Sequence, residues 1–165
     1  MFLQETFVVE DCWNTSINEQ SITNSSGTKI SSIGLDTVHN VQNDDFVLEF
    51  DGKGNGVLNI GSSTNWSQST ANYRVTLGID NNRSDFNGAI RTTSTTNRYG
   101  GSSNLTTYYH YKIVKEDHTI SFYADDTLIG TVTESFFTNY DTWSIYSIIW
   151  GSGTQTIKNI RIKAL

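Results

Sequence analysis

Apolar residues recur at every second position in short runs along this chain, whereas no window sustains the helical spacing i, i+3, i+4, i+7. In Tyr73–Ile79, for example, the ring and the aliphatic side chains fall on one side of an extended strand, and Arg74 and Thr76 fall on the other. Gly, Asn, Asp and Ser separate the runs, and these residues favour turns. The pattern therefore predicts an all-β chain.

The alternation predicts ten or more strands, which is too many for one open sheet. We expect the first-half strands at Phe2–Val9, Lys29–Ile33, Phe46–Phe50, Val57–Ile60, Tyr73–Ile79 and Ala89–Thr93. Val57–Ile60 is predicted to be the return strand after the glycine-rich turn that follows Phe46–Phe50. Tyr73–Ile79 is predicted to be buried on one face only.

The second half predicts a meander followed by a last pair of strands. Its strands are expected at Tyr108–Val114, Thr119–Tyr123, Leu128–Thr133, Trp143–Trp150 and Thr156–Lys163, with the last two paired around Gly151–Gly153. Ser94–Asn104 is predicted to be the longest loop and a candidate binding loop. Together these elements predict one domain over residues 1–165, a two-sheet antiparallel β-sandwich of the jelly-roll kind.

Charge and composition exclude several function classes. The net charge is −6 and no Lys/Arg cluster matches a run of phosphates, so we expect no nucleic-acid partner. Cys12 is the single cysteine, which leaves no intrachain disulfide and no zinc spacing. No apolar stretch approaches the roughly 20 residues that span a bilayer. Met1–Glu10 lacks the features of a signal peptide, which fits either a chain not exported by that route or an excised domain.

The run Tyr108–Gly130 resembles the hairpin signature of concanavalin A-like lectin/glucanase domains, a superfamily that includes laminin G-like domains. An aromatic-rich strand with a Lys leads through a polar turn into a strand ending in Phe-Tyr, and an Asp-containing turn follows. Ile157–Ile162 looks like the final strand of such domains and Asp45–Phe50 like an early one. The resemblance covers nearly the whole chain and implies the fold more directly than a function.

Hydrolases of this superfamily carry a Glu-x-Asp-x-x-Glu pattern, because retaining hydrolysis needs two carboxyl groups about 5–5.5 Å apart. Glu49-Phe50-Asp51 begins like that pattern, but Gly54 stands where the second Glu should fall. We therefore interpret Glu49 as a solvated or sugar-contacting carboxylate and predict that the domain is not an enzyme.

Ligand grooves of this fold often lie on the outward face of one sheet, and sugars need aromatic rings and planar polar partners. The resulting candidate ligand-binding residues are Glu49, Trp66, Arg74, Thr76, Arg91, Arg98, Tyr99, Tyr146 and Trp150. For Tyr146 and Trp150 core or sheet-edge packing is the alternative, and for Trp66 a loop anchor. For Arg91 and Arg98 the alternative is simple solvation.

No cofactor is predicted. Several aspartates offer oxygen ligands to Ca²⁺, an ion common among the superfamily, but none has the spacing of a defined calcium loop; they are Asp44, Asp45, Asp125, Asp126 and Asp141. Turn capping is the alternative role for them. The three histidines are scattered and form no nucleophilic triad with the other residue types.

The leading hypothesis is a non-catalytic carbohydrate-binding or adhesion domain that binds a glycan or cell-surface polysaccharide. A polar Asn/Ser/Thr surface places it outside a cell or on a virion, for example in a phage tail or fibre or a microbial surface protein, although an AT-rich genome explains the same composition. The alternative hypotheses are a structural module that self-associates in a virion or surface layer, and a laminarinase-like glycoside hydrolase.

Overall fold

The computed structural model describes residues 5–7, 13–14, 19–37, 45–62, 74–80, 83–91, 95–133 and 143–165. Within these residues the chain forms β-strands joined by turns, and no helix is long and apolar enough to cross a membrane. The strands are β1 (Glu5–Phe7), β2 (Trp13–Asn14), β3 (Gln20–Asn24), β4 (Thr28–Thr37), β5 (Phe46–Gly54), β6 (Gly56–Ser62), β7 (Arg74–Ile79), β8 (Phe86–Arg91), β9 (Thr95–Gly100), β10 (Tyr109–Glu116), β11 (Thr119–Ala124), β12 (Thr127–Thr133), β13 (Trp143–Trp150) and β14 (Gly153–Ala164).

These strands form two sheets. Sheet I has the order β1-β4-β13-β6-β7-β8-β9, and sheet II has the order β12-β11-β10-β5-β14-β2, with β3 also paired to β14. Among the described pairs β1–β4 is parallel and the others are antiparallel. Of the described strands, β5, β10, β11 and β14 lie inside sheet II, and β4, β6, β7, β8 and β13 lie inside sheet I. The predicted two-sheet antiparallel jelly-roll sandwich is confirmed.

The core lies between the sheets and is built from large apolar side chains. From sheet II the fully buried Phe46, Leu48 and Phe50 of β5 point inward, as the alternation predicted. Gly88 of sheet I leaves room for the Phe122 ring, since a Cβ there would lie 2.3 Å from that ring. Aromatic rings pack against each other in this core. Phe50 stacks on Tyr111, with 5.0 Å between the two ring centroids.

The predicted meander is confirmed, because β10, β11 and β12 pair in sequence. Two-residue turns join them. Asp125 and Asp126 both have positive φ angles, 46° and 62°, which is the conformation of a tight hairpin turn whose twist matches that of the strands. The polar turn residues in the sequence therefore predicted this part of the fold correctly.

Two predicted hairpins are wrong, because the chain changes sheets at both. β5 lies in sheet II and β6 in sheet I, and β13 and β14 are divided in the same way. Gly54 makes the first change of sheet possible: its φ is +93°, and a Cβ there would lie 1.9 Å from the Thr154 carbonyl oxygen. The backbone and side chain of Asn55 then donate to the carbonyl oxygens of Thr154 and Ser152, respectively. These hydrogen bonds join the β5–β6 connection to the β13–β14 connection.

Two further predictions are corrected. All six residues of β7 are buried, not only those on its core face. Ser94–Asn104 is not one long loop, because β9 occupies Thr95–Gly100 and pairs with β8. Thr, Asn and Arg carry no strong apolar alternation, so an edge strand made of them resembles a loop in sequence.

The predicted strand boundaries also shift. β4 runs over Thr28–Thr37, longer than the predicted Lys29–Ile33, and β8 runs over Phe86–Arg91, earlier than Ala89–Thr93. Of the predicted strand Phe2–Val9, the described part is β1.

Candidate functional site

The outer face of sheet I consists of the side chains that point away from the core. On β7 these are Arg74 and Thr76, because Val75, Leu77 and Ile79 point inward. Cross-strand pairing puts Thr76 beside Asn59 of β6, and Asn59 beside Tyr146 of β13. The fold therefore brings three predicted site residues, Arg74, Thr76 and Tyr146, onto one surface.

The polar groups on this face are almost fully withdrawn from solvent. Asn59 is 0% exposed, Thr76 3%, Asn87 3% and Arg74 5%. The Asn59 amide donates to the carbonyl oxygens of Val57 (3.1 Å) and Tyr146 (3.3 Å), while its Oδ1 has no hydrogen-bond partner among the described residues. A buried acceptor without a donor is costly.

At one end of this face a chain of charges links two aromatic rings; we term it the Asp80 arc. The Arg74 guanidinium lies 5.6 Å from the Trp150 ring centroid, and the Arg83 guanidinium lies 4.0 Å from that of Tyr99. Asp80, directly after β7, is close enough to both arginines for their charges to act on its carboxylate. The arc therefore runs from Trp150 through Arg74, Asp80 and Arg83 to Tyr99.

The carboxylate at the centre of the arc is electrostatically strained. Burial raises the pKa of Asp80, and the positive charges of Arg83 and Arg74 only partly oppose it. One carboxylate oxygen, Oδ1, is buried and has no hydrogen-bond partner among the described residues. Asn59 Oδ1 and Asp80 Oδ1 are therefore two buried acceptors of this face without a hydrogen-bond partner among the described residues.

The outer face of sheet II is different, because its side chains are charged and open to solvent. His110 of β10 lies between two carboxylates of β5, with Nδ1 2.9 Å from Asp51 Oδ1 and Nε2 3.4 Å from Glu49 Oε1. Asn159 of β14 donates to the other Asp51 oxygen at 2.8 Å. Desolvation lowers the pKa of His110, but the hydrogen bonds and charges of Asp51 and Glu49 outweigh it, so the pKa is raised.

The predicted site residues thus fall into groups. Trp150, beside Arg74, and Tyr99, beside Arg83, lie at the two ends of the Asp80 arc, and Tyr99 is 45% exposed. Glu49 lies on the other outer face, beside His110. The backbone of Arg91 pairs with that of Arg74 in the sheet. Trp66 lies outside the described residues.

Arg98 makes a structural contact between the two sheets. Its guanidinium donates to the Thr131 carbonyl oxygen of β12 at 2.7 Å and to the Asn97 carbonyl oxygen at 2.9 Å. This arginine therefore links β9 of sheet I to β12 of sheet II, where the two sheets meet at one edge of the sandwich.

Sequence reasoning missed Asp80, Arg83 and Asn59. A polar residue at an outward strand position does not by itself indicate a binding site, because most such positions simply face solvent. Asp80 follows the predicted strand directly, so its place at the end of β7 could have been found. Its closeness to Arg83 and Arg74 depends on the fold of the loop and on side-chain reach, which alternation does not specify.

The aspartates considered for Ca²⁺ have other partners. Asp45 accepts from the Asp117 backbone, Asp125 from that of His110, and Asp126 pairs with Lys112. In the part of the chain that the structure describes, no group of three or more His, Cys, Asp or Glu side chains is placed to hold a metal ion. Asp44 and Asp141 lie outside it.

The arrangement at Glu49 differs from the hydrolase pattern. Glu49 and Asp51 share the outer face of β5, and the next outward carboxylate of the pattern would fall at Gly54. The positive φ of Gly54 and its approach to Thr154 leave no room for a side chain there. Within β5, the pattern therefore stops at its second carboxylate.

Comparison with known proteins identifies the fold. No family model and no curated protein matches the sequence. Among solved structures, the carbohydrate-binding module CBM66 from Bacillus subtilis is similar, with a TM-score of 0.59 and 16% identity over 91% of this chain and 94% of that one. The Bacillus licheniformis β-glucanase gives 0.58 and 11% over 92% and 97%. The κ-carrageenase from Zobellia galactanivorans gives 0.52 and 7% over 84% and 78%. The chain therefore has the concanavalin A-like jelly-roll fold that its sequence resembles.

Proposed function

We propose that this domain binds a glycan through the outer face of sheet I, at the Asp80 arc, and does not cleave it. The observation that carries the proposal is that two rings with solvent-accessible surface, Trp150 and Tyr99, stand at the two ends of one row of charged groups formed by Arg74, Asp80 and Arg83. Rings stack on the C–H faces of sugars, and planar polar groups bind their hydroxyls.

The chemistry of this face favours binding over hydrolysis. The two described carboxylates at the arc are both engaged with guanidinium groups, because Asp80 lies near Arg74 and Arg83, and Asp85 accepts from Arg83 Nε at 2.8 Å. Retaining and inverting glycosidases both need a pair of carboxyl groups on opposite sides of the scissile bond. The similar solved structures include a carbohydrate-binding module as well as glycoside hydrolases, so the fold is compatible with either activity.

The setting we propose is recognition of polysaccharide outside a cell or on a virion, in a microbial surface protein or a phage tail or fibre. The Asn-, Ser- and Thr-rich sequence supports this setting. No metal is required by the proposal, since guanidinium and carboxylate groups bind sugar hydroxyls directly.

The test is a glycan array probed with the purified domain, with and without Ca²⁺, followed by titration of any hit with Trp150→Ala. Loss of one central aromatic contact is expected to weaken binding by about 2 kcal/mol, or ~30-fold. The matched control is Tyr108→Ala, which removes a ring that packs against Lys53 and Lys158 of sheet II. A well-folded domain that binds no glycan, and forms a defined oligomer by light scattering, would favour the assembly-module alternative.

A further inference from the structure

A groove of about 510 Å³ crosses the outer face of sheet II, on the opposite side of the sandwich from the Asp80 arc. Its floor is apolar, because Val47 of β5 and Val114 of β10 are cross-strand partners there. Tyr123 of β11 stands at one side and Leu165 at another. An apolar surface next to an aromatic ring can pack against the C–H face of a sugar.

Beside this floor runs a row of charged cross-strand neighbours. Glu49 of β5 is paired with Lys112 on one side and Arg161 on the other. Lys163 of β14, the partner of Val47, adds a second cation two residues from Arg161. Glu116 is the other acidic residue that lines the groove. Arg161 and Lys163 thus place two positive charges along one wall.

The cations of this protein concentrate on this face. Although the net charge is −6, five of the eleven lysines and arginines point outward from β5, β10 and β14, namely Lys53, Lys112, Lys158, Arg161 and Lys163. Glu49, Asp51 and Glu116 lie on the same strands, and Lys112 and Lys158 pair with Asp126 and Glu19, so the positive charge that can attract an anion is local to the wall formed by Arg161 and Lys163.

We propose that this groove is a second ligand site, for a saccharide that carries a carboxylate or sulfate group. The acidic group lies between Arg161 and Lys163, where charge-assisted hydrogen bonds hold it. The sugar ring covers Val47 and Val114, and its hydroxyls donate to Glu49. The inference is independent of glycan binding at the Asp80 arc, because the two sites share no residue.

The test titrates the domain with trigalacturonate and, separately, with a sulfated galactose trisaccharide, while backbone amide shifts are followed by NMR in 150 mM salt. Cellotriose is the neutral probe. We expect at least one acidic probe to shift the amide resonances of β5, β10 and β14, and cellotriose to leave these resonances unchanged. The acidic probe that binds shows whether a carboxylate or a sulfate group is preferred. Arg161→Gln and Lys163→Gln should each weaken binding roughly tenfold.

Lys158→Gln is the matched control, because it removes the same charge from the same strand outside the groove, where Lys158 packs 4.1 Å from the Tyr108 ring centroid. It should change the affinity less than twofold, and Trp150→Ala should also leave acidic binding intact. Equal weakening by Lys158→Gln and Arg161→Gln would reduce the effect to general charge attraction and overturn the proposal. So would the absence of shifts with both acidic probes in a folded sample.

Discussion

On the outer face of sheet I, Asn59, Thr76 and Arg74 are 0%, 3% and 5% exposed, whereas on the outer face of sheet II the side chains of Glu49 and His110 are 27% and 43% exposed. Both faces are polar, but their polar groups experience different surroundings. Charges withdrawn from water interact strongly and cost much when unpartnered, while exposed ion pairs are screened and contribute little. The polar groups of sheet I are therefore sensitive to the loss of a partner, whereas those of sheet II are open to solvent.

The largest expected difference between the faces is in stability. Arg74→Met should lower the free energy of unfolding by about 2 kcal/mol, because it leaves the buried Asp80 with one of its two neighbouring cations and uncovers Trp150. The matched change on sheet II, Arg161→Met, should stay within about 0.5 kcal/mol, because Arg161 is exposed. Urea denaturation measures both variants. Equal effects would show that the two faces do not differ in the way described.

The next prediction separates binding from stability at Asp80. Since burial raises the pKa of Asp80, its ionised form destabilises the folded state at neutral pH. Asp80→Asn should therefore raise the free energy of unfolding at pH 7, and this advantage should begin to fall as the pH drops through the raised pKa and vanish below the ordinary pKa of 3.8. The same variant should bind glycan several-fold more weakly. A variant that is less stable at pH 7 would contradict the described electrostatics of the arc.

On sheet II the expected pH dependence has the same direction, but it arises from ion pairing rather than from burial. The raised pKa of His110 means that its protonated form is stabilised by Asp51 and Glu49. The stability that His110 adds relative to His110→Gln should be fully present below its ordinary pKa of 6.5 and be lost as the pH rises through the raised value. Urea denaturation between pH 5 and 8 measures it. His118→Gln, at an exposed turn position, is the matched control.

The smallest expected effect is that of Glu49→Gln on the proposed function. Because Glu49 lies on sheet II, this change should alter the affinity for a glycan bound at the Asp80 arc less than twofold. Neither the original domain nor the variant should release reducing sugar from β-glucan. Release by the original domain that Glu49→Gln abolishes would establish the hydrolase alternative.

The fold followed from the sequence where local pattern decides it. Alternation located β5, β7 and β10 to β12, and the Asp-containing turns set the meander. Alternation specifies which face of a strand is apolar but not which strand lies beside it. The sheet changes at Gly54 and Ser152 therefore appeared as hairpins, since glycine allows either path.

The candidate site was predicted only in part. Arg74, Thr76 and Tyr146 were found because outward positions on neighbouring strands align whenever the strands pair. Asp80 and Asn59 were missed, because their role depends on burial of an outward surface, and nothing in a period-two pattern predicts that. Arg98 was interpreted as a loop residue, although β9 places it where its guanidinium contacts β12.

The central claim is that glycan binds the outer face of sheet I. Its most direct test is NMR titration of the labelled domain with the neutral oligosaccharide that binds best on the array. The account predicts amide shifts that concentrate at residues 74–80, 83, 99 and 146–150, and that disappear in Trp150→Ala. Shifts that map instead to β5, β10 and β14 would contradict it.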